Sequence, residues 1–216
     1  MDYKTKRRVI VGIFGVLFLI LYIFKSYSVA LRVIGLVLGI GIFYFIDHTF
    51  NIKFELKHYI CLMIIFIFGV ILSPLYFVSD NYDKILHLLL PILGATIIFF
   101  VVNKLNIKYQ WKLFITFLII VSFLAFHEIG EYLLDKFLDL KLQGVYSRSA
   151  VVGLDAEKFE LIQEKLDDTM IDMILGTLGA GIYTILRTIS YYYKKHFKKP
   201  KKKSKSKKKS QLKKQR

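Results

Sequence analysis

His127, Glu128, Glu131 and Asp135 stand at the end of an apolar run that begins at Leu113 and carries no charge before His127. An ionisable side chain at the middle of a membrane helix costs about 2.5–3.5 kcal/mol on insertion scales, so one retained there marks a functional candidate. Two other stretches carry matching groups: Asp83 with His87, and Asp168 with Asp172. Residues four apart share one face of a helix, and so do His127 and Glu131. Carboxylate oxygen and imidazole nitrogen together suit Mg²⁺, Mn²⁺ or Zn²⁺. Asp83, His87, His127, Glu131, Asp168 and Asp172 are therefore the expected metal ligands. Glu128, Glu131, Asp172 and His87 are the expected catalytic groups, with metal-activated water as the nucleophile.

Two motifs are set aside. His127-Glu128-Ile129-Gly130-Glu131 starts like a zincin helix, but the second histidine of that motif would fall at 131, which is a glutamate. The sequence offers no serine–histidine–acid arrangement and no glycine-rich phosphate loop. Gly176, Gly179 and Gly181 lie in an apolar run and read as helix-packing positions.

The elements that must carry these groups are membrane helices. The chain has 216 residues, 55% of them hydrophobic and 16% aromatic, above the roughly 45–50% apolar content of a soluble domain. Six runs are long enough, or nearly so, to cross a bilayer, which takes about 20 apolar residues. They are Val9–Phe24, Val29–Ile46, Tyr59–Val78, Asp83–Val102, Leu113–Leu134 and Asp168–Tyr191. Gly35, Gly39 and Gly41 give the second a small-residue face, and Pro91 predicts a kink in the fourth. Between Asp135 and Asp167, Asp155 can cap a short amphipathic helix carrying Phe159, Ile162 and Leu166, expected to lie on the membrane surface. Cys61 is the only cysteine, so neither an intrachain disulfide nor a thiolate cluster is available.

The formal charge of +16 is local. Residues 194–216 hold thirteen lysines, Arg216 and no acid, and the rest of the chain carries a net +2. The expected organisation is an all-α bundle of six transmembrane helices over residues 1–193, followed by a disordered lysine-rich tail over 194–216. Basic residues at the N-terminus, at Lys53 and Lys57, at Lys104, Lys108 and Lys112, and in the tail place both termini in the cytoplasm of a plasma-membrane protein. The acids and histidines then share one depth at the outer face. The tail is expected to meet anionic lipid head groups, with RNA as its rival partner. Arg148, in the long outer loop, is a weak candidate for an anionic head group.

Tyr82-Asp83-Lys84 followed by His87, Glu128 with Glu131, and Asp168-Thr169 with Asp172-Met173 ahead of Gly179-Ala180 resemble a known pattern. It is that of a family of small bacterial and archaeal membrane proteins typified by YjdF, and more distantly of the VanZ-like proteins. The likeness covers about residues 78–190. The family often has tryptophan where His127 stands, so no role for that residue carries over. The resemblance implies a membrane fold and a shared polar site, and no activity. Three functions stay open: a metal-dependent hydrolase acting on lipid or a lipid-linked substrate, a structural membrane component with a buried polar network, and an ion- or proton-coupled transporter. A polar set gathered at one depth, with no acid in mid-membrane on the first three helices, weighs against transport.

Overall fold

The computed structural model describes residues 4–5, 7–8, 11–12, 14–15, 27–138, 141–149 and 158–197. Most of the run Val9–Phe24, Asp155 and the tail beyond Phe197 lie outside them. The chain falls into two compact units, residues 1–184 and 185–216.

In the first unit the described residues between 4 and 15 are helical. Helix α1 spans Tyr27–Thr49 and α2 spans Leu56–Phe66. The single helix expected over Tyr59–Val78 is broken. α2 widens into a π-turn at Ile67–Ile71, and a 3₁₀ turn follows at Ser73–Phe77. Pro74 stands at the start of that turn, where its missing N–H and fixed φ end an α-helix at little cost. Helix α3, Tyr82–Val102, carries Asp83 in its first turn, an acid at the positive end of the helix dipole. Helix α4 is Tyr109–Leu138, and α5 runs Lys165–Phe197, with Asp167 and Asp168 in its first turn.

Among the described residues three helices, α3, α4 and α5, are long and apolar enough to cross a membrane. The apolar helical stretch Leu56–Ile71 is shorter. Phe43, Phe54, Tyr59, Phe66 and Ile97 build one core cluster around α1 and α2. Ala95, Phe99, Leu113, Ile120, Ala180 and Tyr183 build a second among α3, α4 and α5. Leu, Ile and Phe side chains remain exposed along all three long helices, as faces toward lipid would be.

The glycines divide by what they face. A Cβ on Gly179 would collide with the Leu88 carbonyl oxygen, and one on Gly176 would press into the Leu124 side chain. Both are therefore packing positions. Gly39 is another, against the Phe66 ring, whereas Gly35, Gly41 and Gly181 have open space where a Cβ would lie.

The amphipathic helix expected near Phe159–Leu166 is not formed. Lys158–Gln163 is a strand, β2, paired antiparallel with β1, Val145–Ser149. Register runs from Ser149 opposite Lys158 to Val145 opposite Gln163, with an irregularity between Val145 and Tyr146. The described chain is thus mostly helical with a two-stranded hairpin, not all-α. Phe159 and Ile162 fit a helical period by chance, and the pairing strand that decides the outcome, Val145–Ser149, lies upstream in sequence. Leu166 begins α5 and is exposed.

The second unit holds the end of α5 and the tail. The helix continues to Phe197, so residues 194–197, expected to start a disordered tail, extend it. Tyr192 stacks on His196 and Tyr193 on Phe197, each four residues on along the same face.

Candidate functional site

Antiparallel packing of α3 on α4 and the close approach of α5 at Gly179 bring the start of α3, the end of α4 and the start of α5 together. On a rise of about 1.5 Å per residue, His127 lies roughly 21 Å along α4 from Leu113.

His87 is the centre. Its Nε2 faces Asp83 Oδ1 at 3.5 Å and Asp172 Oδ2 at 4.0 Å. Its Nδ1 faces Glu128 Oε1 at 3.8 Å. Glu128 Oε1 also lies 3.9 Å from His127 Nδ1, which is 3.7 Å from Glu131 Oε1. The two imidazole rings meet edge to face, 5.4 Å between centroids. Six of the expected groups, drawn from three helices, therefore form one connected cluster.

Among the described residues two sets of three can each converge on one point, with ligand atoms within 4.8 Å of one another: Asp83, His87 and Asp172; and His87, His127 and Glu128. Glu128, expected as a catalytic group, takes a ligand position, while Glu131, expected as a ligand, lies in neither set. Exposure falls across the cluster from 57% at His127 to 7% at His87, 6% at Glu128 and 1% at Asp172.

The histidines and carboxylates face one another without closing hydrogen bonds, whereas Asp83 and Asp172 share a side-chain hydrogen bond. Nitrogen–oxygen distances of 3.5–4.0 Å exceed the roughly 2.7–3.2 Å of a protein hydrogen bond. His87 Nδ1, Glu128 Oε1 and Asp172 Oδ1 are buried and have no hydrogen-bond partner. Two atoms bound to one metal at about 2.1 Å lie roughly 3.0–3.4 Å apart in octahedral or tetrahedral geometry. The nitrogen–oxygen gaps of the cluster are up to about 1 Å wider than that.

Asp168 and Asp135 behave differently. Asp168 is expected as a ligand, yet its Oδ2 accepts the Gly144 N–H at 2.9 Å and its Oδ1 accepts Gln163 Nε2 at 3.4 Å. Both oxygens point to the hairpin. Gly144 has φ +85°, a left-handed turn that glycine adopts without strain and that directs its N–H to the helix start. Asp135 reads from sequence as a solvated interfacial charge, but it is buried. It accepts the N–H groups of Leu142 at 2.6 Å and Gln143 at 3.1 Å, and meets Lys165 Nζ at 3.0 Å. Tyr76 Oη donates to the Leu142 carbonyl at 2.8 Å. Backbone partners supplied by residues 142–144 are invisible to side-chain spacing, so these roles could not be read beforehand. The side chain of Arg148 lies outside the described residues.

No curated protein and no solved structure matches this chain. Residues 6–193 match the family described as "Predicted membrane protein (DUF2238)", to which the YjdF-type proteins belong. With helices fit for a bilayer and a match over most of its length, the chain is a membrane protein of the DUF2238 family.

Proposed function

We propose that the buried cluster is a divalent-metal centre, and that the protein is a metal-dependent hydrolase acting on lipid or a lipid-linked substrate. The observation that carries this reading is the contrast within one polar region. Asp135 and Asp168 have closed, short hydrogen bonds, as a structural network requires. His87, Glu128 and Asp172 present buried atoms with no partner across gaps a little wider than a coordination sphere. Leaving such an atom unpaired costs about 1–3 kcal/mol, and a cation bound among them would offset it.

Imidazole with carboxylate favours Zn²⁺ or Mn²⁺ over Mg²⁺, which prefers oxygen ligands and water. Such a metal supplies a nucleophilic water near neutral pH. His127 and Glu131, at the more exposed side, are placed to accept the proton. In this reading six spans put both termini in the cytoplasm of the plasma membrane and the cluster at the outer face, so the substrate is an ester or phosphoester of the outer leaflet. The tail meets anionic lipid. The distant VanZ likeness plays no part.

The test is reconstitution of the full chain in vesicles, with release of phosphate and of fatty acid followed in added Mn²⁺ or Zn²⁺. Chelator-sensitive release, lost in Asp172→Asn, is expected. Metal bound without hydrolysis of either bond would leave a metal-binding membrane protein and remove the enzyme. Full stability with no metal would favour the structural network.

A further inference from the structure

We infer, on the metal-centre reading just given, that the cation is held by Asp83, His87 Nε2 and Asp172, and that Glu128 is a positioning residue for His87 rather than a ligand. His87 belongs to both candidate sets. A neutral imidazole has one lone pair to give, and its other nitrogen carries a proton, held in metal sites by a carboxylate or carbonyl. The two sets are therefore alternatives.

Three observations choose between them. Asp83 and Asp172 give a dication two anionic ligand oxygens in direct contact, whereas Glu128 with two imidazoles gives it one. The Asp83–His87–Asp172 set is also the more buried one, with Asp83 partly exposed, whereas the other depends on His127, whose side chain is 57% exposed. Finally, Asp172 comes from α5, held against α3 where Gly179 meets Leu88, so this set sits at a close contact of two helix backbones. Glu128 Oε1 is 3.8 Å from His87 Nδ1 and without a hydrogen-bond partner, so on metal binding it would draw in to the roughly 2.7–3.2 Å of a hydrogen bond and fix the tautomer. It leaves Nε2 free for the metal.

The experiment uses full-length protein in detergent, stripped with chelator and titrated with Co²⁺, read by visible absorption and by metal content after desalting. Wild type is expected to bind one Co²⁺. Asp83→Asn and Asp172→Asn lose it. His127→Asn keeps it with the same spectrum. Glu128→Ala weakens binding about 10–100-fold, as loss of an outer-shell partner does elsewhere. Glu128→Gln, whose amide oxygen still accepts the Nδ1 proton, restores much of that loss. A merely structural Glu128 would not shift the cobalt spectrum. Loss of Co²⁺ in His127→Asn, or in both Glu128 variants, overturns the assignment while leaving a metal centre. His127→Asn alters an exposed side chain, so that arm decides even where an aspartate variant does not fold. Absence of Co²⁺ binding by wild type overturns the metal reading itself.

Discussion

Four acids on these helices divide by the state of their oxygens. Asp168 and Asp135 hold the residues beside the hairpin, and Glu128 and Asp172 face imidazole nitrogen. Asp168→Ala leaves the Gly144 N–H without its acceptor, a cost of about 1–3 kcal/mol. A lower melting temperature with unchanged Co²⁺ stoichiometry is expected, measured by thermal unfolding in detergent beside a metal assay. Loss of metal with an unchanged melting temperature would return Asp168 to the ligand set. Glu131→Gln is expected to keep Co²⁺ bound, because Glu131 reaches only His127 among the cluster groups. The residue types, spacing and common depth of this site were legible from sequence, since i, i+4 pairs on helices leave little freedom. Which acid turns toward backbone was not, because Gly144 and Leu142 present donors that no side-chain pattern encodes.

Helix packing puts the cluster together, and one backbone contact dominates it. Gly179→Ala drives a Cβ into the Leu88 carbonyl oxygen, which must move α5 away from α3. Overpacking of this kind costs about 1–3 kcal/mol. Gly181→Ala, with open space around its Cβ, should be neutral or gain up to about 1 kcal/mol of helix propensity. Thermal unfolding of the two variants checks this, and equal melting temperatures would refute the close contact. The long helices α3, α4 and α5 were legible because a run of apolar residues has few alternatives in lipid. The hairpin was not. Lys158–Gln163 carries both a helical and an alternating pattern, and only its pairing with Val145–Ser149 decides between them. Likewise the single run expected over Tyr59–Val78 foretells neither the π-turn at Ile67–Ile71 nor the 3₁₀ turn at Ser73–Phe77.

At the scale of the molecule, the proposed six-span arrangement would place the hairpin outside and the tail inside. In a Cys61→Ala background, Ser147→Cys should react with an impermeant maleimide on intact cells, and Ser204→Cys only after lysis. Reaction of both on intact cells would overturn that arrangement. A peptide of residues 194–216 should bind anionic vesicles, by about 1 kcal/mol per lysine near the surface, and release them at high salt. Equal binding to neutral vesicles would exclude the electrostatic anchor. Whatever the topology, the central claim is that His87 and the acids around it form a metal centre rather than a lock between helices. Its most direct test is elemental analysis of the full-length chain, purified without chelator, beside Asp172→Asn prepared identically. About one equivalent of a transition metal in the wild type and none in the variant is the expected result for one Asp/His site of this kind. A folded wild-type protein free of metal, matched by an equally metal-free variant, would contradict it.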